Sequence, residues 1–254
     1  MAHYRMSVLE EKGYVVLSRD GTVIDPREWQ DLEYVDWKSS GDTRFAPLAS
    51  AYGGIDCNAF WHFDPPKPDR DGVWIPSQVA VAPTIAGLAQ ESGANVGRVR
   101  IIELQPNTYA DALYNSHLDD NNRLTRDGDG WVVRGFRNLT DDAGSFLVLR
   151  EDVRDPATET RIPLPAGARV IVDSERMWHS VWHPGPLPRY CLITSYESGP
   201  ELEKWIFEND PTTYVDVAVL DEGFASAMEA EAQDRRAKRT AFYGYDPTNV
   251  MSEA

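Results

Sequence analysis

The sequence predicts a mainly β chain built around a double-stranded β-helix, or jelly roll, with helices flanking it. Three observations predict this. Short strand-like segments recur at regular spacing between about residues 96 and 197, with turn residues between them. Two histidine segments 62 residues apart, at His117 and His179, are separated by enough chain for several such strands, so the ends of two antiparallel strands can bring them together. The 254 residues are enough to bury a core without disulfide staples, and two cysteines provide no disulfide framework.

Each element follows from local pattern. Val96–Leu104 alternates into a strand that Pro106-Asn107 ends, and Trp131–Leu139 has the aromatic, branched and charged mixture of another. Asp141-Asp142-Ala143-Gly144 punctuates the chain as a turn before Ser145–Arg150. Thr158–Leu164 alternates, and Pro165-Ala166-Gly167 turns the chain into Ala168–Val172. His179 falls on the next segment, and Arg189–Tyr196 reads as the strand after that. Outside this core, Ser77–Gly93 predicts a helix that starts after Pro76, is interrupted by Pro83 and stops at Gly93. Glu201–Glu208 and Glu222–Thr240 also read as helices. Residues 1–254 are therefore expected to form one unit: an N-terminal lid and support (1–95), the jelly-roll core (about 96–197) and a C-terminal helical region (198–254). The charge run beyond Met228 reads as a solvated face, with a subunit contact in a homodimer as the sharper alternative.

His117, Asp119 and His179 are the candidate metal ligands. Two imidazoles and a carboxylate on one face of an octahedron leave three positions open, which is the ligand set of non-heme Fe(II) oxygenases. The short motif carries little information by itself, since five His and 41 acidic residues give roughly 0.8 chance His-x-acid matches. A second copy, His62-Phe63-Asp64, lies in a proline-rich stretch and reads as a loop or pocket-wall pair. His183 competes with His179, because WHSVWHP places two imidazoles four residues apart.

With these residues in place, the chain resembles the Fe(II)/2-oxoglutarate-dependent oxygenases over about residues 96–197. His117-Leu118-Asp119 matches the family's opening motif, His179 its distal histidine, and Arg189, ten residues beyond, the arginine that binds the far carboxylate of 2-oxoglutarate. With His183 as ligand, that gap shrinks to six and fits the family poorly. The segments NSHLDDNNRL and MWHSVWHPGPLPRY are similar to those of small bacterial oxygenases acting on free amino acids or nucleotide-sized precursors. Some of those relatives are radical halogenases with Gly or Ala at the position of Asp119. The resemblance implies a jelly-roll, cupin-like fold, Fe(II), 2-oxoglutarate and O2 as cofactor and cosubstrates, and hydroxylation of a small molecule, since this chain keeps the Asp. Two other classes fit the ligand residues: an inert cupin-like binding module, and a cupin-type isomerase or epimerase using a divalent metal as Lewis acid. Neither gives Arg189 a cosubstrate to hold.

Candidate substrate contacts are less sharply marked. Asp120 and Asn121 follow the metal motif directly, although Asp-Asn-Asn also makes an ordinary turn. Arg98 and Arg100 share one strand face by period two and suit a carboxylate or phosphate, with surface ion pairing as the bland reading. Thr194 and Tyr196 follow Arg189 on its strand and are expected to line the pocket; Trp178 and Trp182 are expected to pack in the core.

Composition narrows the partners. A formal net charge of −16 opposes binding along a nucleic-acid polymer, though a local arginine cluster suits a single small anion. No segment approaches the roughly 20 apolar residues that cross a bilayer, and MAHYRMSVLEEKGY has no signal-peptide character. A cytoplasmic setting is expected.

Overall fold

The computed structural model describes residues 6–37, 42–125, 130–141, 144–212 and 220–243. Its strands, in chain order, are β1 (Tyr14–Leu17), β2 (Val35–Trp37), β3 (Thr43–Ser50), β4 (Val73–Trp74), β5 (Val96–Leu104), β6 (Val132–Asn138), β7 (Phe146–Arg150), β8 (Thr160–Pro163), β9 (Arg169–Val172), β10 (Trp178–Trp182) and β11 (Arg189–Glu197). The large sheet runs β1-β9-β6-β11-β5-β3-β2, with β4 also on β3, and the small sheet runs β10-β7-β8. Neighbouring strands in both sheets are antiparallel. His117 adds itself to the free side of β10 through an antiparallel bridge to His179. From β5 and β6 in the large sheet the chain passes to β7 and β8 in the small one, then to β9, β10 and β11 in the large, small and large sheets in turn, and the first and last of these, β5 and β11, lie side by side. That path is a double-stranded β-helix, and the strands predicted from residue 96 onward lie where the turn residues placed them, within two residues at each end.

The N-terminal third differs from the expectation. It contributes four strands to the large sheet as well as helices, and β3 lies directly against β5. Pro47 conceals β3 in the sequence, because proline cannot donate to a ladder and argues against a central strand. Its place explains how it is tolerated: the outer partner of β3 changes there, from β2 opposite Thr43–Phe45 to β4 opposite Ala49–Ser50, and the register with β5 shifts between Pro47 and Ala49. The helices agree with the sequence pattern more closely. After α1 (Ser7–Glu10) and α2 (Arg27–Gln30), Pro76 opens α3 (Pro76–Val81) and Pro83 breaks it from α4 (Pro83–Gln90). A further short helix, α5 (Tyr109–Tyr114), precedes the metal motif, and α6 (Pro200–Glu208) and α7 (Glu222–Tyr243) follow the barrel.

The large sheet is buried on both faces. Outward residues Val99, Ile101, Val133, Ile171, Leu192 and Tyr196 pack under α1, α2, α4 and α6, whose Leu9, Trp29, Ile85, Leu202 and Ile206 complete that layer. Between the sheets, Leu147, Leu149, Ile162, Val170 and Val172 fill one end of the sandwich. At the other end the inward residues of β5, β6 and β11 include Arg98, Arg100, Arg134 and Arg189, and they line a cavity of about 850 Å³ instead of closing a core. No described helix is long and apolar enough to cross a membrane.

Gly135 fixes how the outer layer meets the sheet. A Cβ there would lie 2.4 Å from Cε2 of Tyr196 and 3.3 Å from Ile171, so the tyrosine ring occupies the space a side chain would need. The ring is buried in the outer core layer. Gly135→Ala is expected to destabilise the fold by about 1–3 kcal/mol through overpacking. Urea denaturation checks this; a loss below about 0.5 kcal/mol, within the scatter of ordinary surface substitutions, contradicts it.

Candidate metal centre

The approach to the motif is built from local signals. Thr108 caps α5 by accepting from the Asp111 amide, and the Asp111 carboxylate accepts from the Thr108 amide and hydroxyl, a reciprocal capping box. The helix ends at Tyr114, so Asn115 and Ser116 bring the chain to β10. There the His117 amide donates to the His179 carbonyl (3.2 Å) and the His179 amide donates to the His117 carbonyl (3.0 Å). This exchange sets the two rings side by side, with centroids 4.4 Å apart. One ligand atom from each of His117, Asp119 and His179 lies within 4.8 Å of the others.

Hydrogen bonds fix which ring atoms face the site. His117 Nδ1 sits 2.9 Å from the Asn115 carbonyl and His179 Nδ1 sits 3.2 Å from the Met177 carbonyl. A carbonyl only accepts, so each Nδ1 carries the proton and each Nε2 presents a lone pair. Burial, followed by the neighbouring His117, lowers the His179 pKa to about 4, which keeps the ring neutral and able to ligate. Asp119 is affected in the opposite sense. Burial disfavours its charge, but Arg134 above all, with both histidines and Arg98, holds its carboxyl well below the usual range. Arg134 Nε (2.9 Å) and Asn121 Nδ2 (3.1 Å) both bond to Asp119 Oδ2, so Oδ1 is the oxygen available to a metal.

Arg134 is 1% exposed and organises a buried network. It donates to Asn121 Oδ1 and to Ser195 Oγ and pairs with Asp69 at 3.3 Å. Arg98 pairs with the same Asp69 carboxylate at 3.3 Å and donates to Asn121 Oδ1 at 3.1 Å. Asn121 also donates to Ser174 Oγ, which completes the bonding of its amide. Asn121 and Arg98, singled out as substrate contacts, therefore belong to the network around Asp119: Asn121 bonds to the carboxylate directly, and Arg98 bonds through Nη2 to Asn121 and Asp69. The ion pair of Arg98 is buried where the sequence reading placed it on the surface. Asp69 reaches the network because β5 has glycine at position 97: a Cβ there would stand 1.4 Å from the Asp69 carbonyl oxygen.

The remaining candidates separate by strand parity. Arg98 and Arg100 share the cavity face of β5, as period two requires, and Asp120 also lines the cavity, paired with Arg123 at 3.4 Å. Thr194 and Tyr196 do not line it. Counting by twos from Arg189 reaches Cys191, Ile193 and Ser195, so Thr194 and Tyr196 point to the opposite face, where Tyr196 packs under the helices. His62 lies in a 3₁₀ turn (Phe60–His62) at the cavity wall, away from the ligand cluster. Trp178 and Trp182 are both half-buried; Trp182 packs with Tyr109, Phe146 and Phe224, and Trp178 lies beneath the Arg236 guanidinium.

His183 is settled by its own bonds. It is 0% exposed; Nε2 lies 2.6 Å from the Leu187 carbonyl, so Nε2 carries the proton, and Nδ1 accepts from Ser145 Oγ at 2.8 Å. Both nitrogens are engaged, and the ring pins the turn that leads into Arg189. Arg189 itself is 1% exposed on the cavity face of β11, its Nε has no hydrogen-bond acceptor, and no carboxylate pairs with it among the described residues. Sequence reasoning missed Arg134, Asp69, Ser174 and Ser195. Arg134 alone left a trace, as one of two charges in the Val132–Asn138 strand.

No family model matches the sequence. No curated protein matches it either. Solved structures similar to this chain include an oxidoreductase of the 2OG-Fe(II) oxygenase family from Burkholderia pseudomallei, at 14% identity over 77% of this chain and 94% of that one, with a TM-score of 0.46. A prolyl hydroxylase from Trichoplax adhaerens is similar at 12% identity, covering 78% of this chain and 90% of that one, with a TM-score of 0.42. The non-heme alpha-ketoglutarate-dependent epimerase SnoN of nogalamycin biosynthesis is similar at 17% identity, over 85% and 91%, with a TM-score of 0.38.

The two histidines give opposite expectations. His179→Ala should weaken Mn(II) binding, followed calorimetrically, by more than the about 10- to 100-fold that loss of a supporting group costs. His183→Ala should leave Mn(II) affinity intact and cost about 1–3 kcal/mol of stability, because Ser145 and the Leu187 carbonyl lose a buried partner. Reversed behaviour of the two variants contradicts the ligand assignment.

Proposed function

We propose that this chain is an Fe(II)- and 2-oxoglutarate-dependent dioxygenase that hydroxylates an aliphatic carbon of a small polar metabolite. A free or modified amino acid, or a nucleotide-sized precursor, is the substrate class. The observation that carries this reading is Arg189, a buried guanidinium without a carboxylate partner among the described residues, opening on the same cavity as a triad that would fill only part of a metal's coordination sphere. A planar guanidinium of this kind suits one end of a dicarboxylate in bidentate geometry. His117, Asp119 and His179 would hold the iron and Arg189 the far carboxylate of 2-oxoglutarate.

Bound there, iron would supply oxygen activation coupled to oxidative decarboxylation of the oxoacid to succinate and carbon dioxide. This chain's residues orient and exclude. The two Nδ1–H bonds lock both imidazoles, Arg134 and Asn121 keep Asp119 ionised and aimed, and Phe136 and Leu147 give the cavity an apolar wall beside His179. The anchored Asp119 carboxylate favours hydroxylation over halogenation, since it fills the position that a halide would take. The two buried cysteines, present as thiols, support a cytoplasmic setting.

Two expectations follow from this reading. Arg189→Ala should raise the 2-oxoglutarate KM by about 30- to 1,000-fold, equivalent to about 2–4 kcal/mol, with Mn(II) affinity unchanged; an unaltered KM moves the anchor elsewhere. Screening amino acids, N-acylated amino acids and nucleotides for succinate release should find a substrate that gains one oxygen, even in abundant chloride. A chlorine isotope pattern in the wild-type product contradicts the assignment.

A further inference from the structure

The chain as a whole carries a formal charge of −16, yet its cavity is lined by six arginines, Arg98, Arg100, Arg134, Arg189, Arg235 and Arg239, against four aspartates, Asp42, Asp111, Asp119 and Asp120. Three of the six arginines are matched locally by carboxylates, and Arg239 lies over the Tyr114 ring at 5.4 Å. Arg98 and Arg134 share Asp69, Arg134 holds Asp119, and Arg235 pairs with Asp111 at 2.7 Å. Arg100 is different. Its guanidinium carbon lies 4.1 Å from the centroid of the Phe45 ring, it touches the Cys57 thiol, and its Nε is shielded from solvent with no hydrogen-bond acceptor. No carboxylate pairs with it among the described residues, and the acid that acts on it across the cavity, Asp119, is bonded to Arg134.

Loading the proposed iron and cosubstrate does not change this balance, because a divalent metal and a doubly charged oxoacid cancel. Arg100 also starts well apart from the Arg189 anchor along the sheet. In the register of β5 against β11, Arg189 stands opposite Leu104 and Arg100 opposite Ile193, four residues further along the strand, or roughly 13 Å at about 3.3 Å per residue. The Phe45 ring packs against the guanidinium, whose donors beyond the contact with Cys57 suit a planar or tetrahedral anion.

We propose that Arg100 is the specificity-determining anchor for an anionic group, a carboxylate or a phosphate, on the substrate of this site. This rests on the dioxygenase reading only for which molecule is oxidised; the anion site itself is a property of the cavity. Burial, with Arg98 and Arg134 nearby, lowers the Arg100 pKa to about 9, consistent with a positive charge in need of a partner. The aromatic wall of the cavity, with Trp37, Phe45, Trp61 and Tyr114, suits an anion that carries a flat apolar body.

The test uses phenyl phosphate and phenylacetate as anionic probes and benzyl alcohol as the neutral control. Each is titrated calorimetrically into the full chain saturated with Mn(II) and 2-oxoglutarate, and again into the chain with neither. At least one anion should bind wild type about tenfold or more tighter than benzyl alcohol, a gap of about 1.4 kcal/mol. The tighter of the two identifies the phosphate or carboxylate source. Arg100→Met should bring both anions down to the affinity of the alcohol, leave 2-oxoglutarate affinity unchanged, and leave the Tm of the free protein unchanged or raised, as expected when an unmet binding charge is removed. Arg100→Lys, which keeps the charge but loses the fork, should fall between the two.

Anion affinity that survives Arg100→Met, or anions that compete with 2-oxoglutarate, would overturn the proposal. If wild type fails to bind 2-oxoglutarate while the Arg100-dependent anion binding persists, the dioxygenase reading falls and the anion site stands.

Discussion

The reciprocal backbone bond between His117 and His179 is the constraint on which the rest of the site depends. Two residues 62 positions apart exchange both amide hydrogens with both carbonyls, and their rings are thereby delivered to the same side of the small sheet. Nothing in either histidine's own neighbourhood could achieve this. It requires the intervening strands to pass from the large sheet to the small one and back, so the jelly-roll path is what converts a sequence spacing into a coordination geometry. The same path brings β11 back beside β5, which places Arg189 and Arg100 on one wall facing the triad.

Electrostatics decides what that geometry can hold. A carboxylate buried beside two imidazoles would protonate if left unsupported. Arg134 prevents this, and Asp69 in turn balances Arg134 and Arg98, so each buried charge near the triad has an opposite within reach. The arrangement depends on close backbone approach at Gly97, an example of how a residue with no side chain sets the charge state of a ligand two strands away. Beyond this balanced group the cavity turns basic, and Arg189 and Arg100 are left facing the open space with their Nε atoms unmatched. In an acidic protein this contrast would favour anions at one place.

The strands that carry the site were legible because turn residues bracket them: Pro106-Asn107 ends β5, and Pro165-Ala166-Gly167 opens β9. The ligand residues were legible because metal chemistry restricts residue types and because the distance from His179 to Arg189 is short enough to read along one strand and a turn. Four things were not. Pro47 concealed β3, since the break in its outer pairing is a tertiary fact. Thr194 and Tyr196 were placed on the wrong face although period two from Arg189 already excluded them. Asp69 lies 50 residues before Asp119, in an irregular segment, and only folding shows the two to belong to one network. His183 could be separated from His179 by spacing, but its structural role became evident only with Ser145 and Leu187 at its two nitrogens.

On the proposed function, this cavity would take one iron and one 2-oxoglutarate together, with Arg189 holding the far carboxylate of the oxoacid. Anaerobic titration of the metal-free chain with Fe(II), then with 2-oxoglutarate, tests it most directly through the visible charge-transfer absorption that a 2-oxo acid gives on chelating Fe(II). The account predicts saturation at one Fe(II) per chain, with the absorption appearing only when both components are present. Iron that binds without that absorption when 2-oxoglutarate is added, or 2-oxoglutarate that binds equally well without iron, would contradict it.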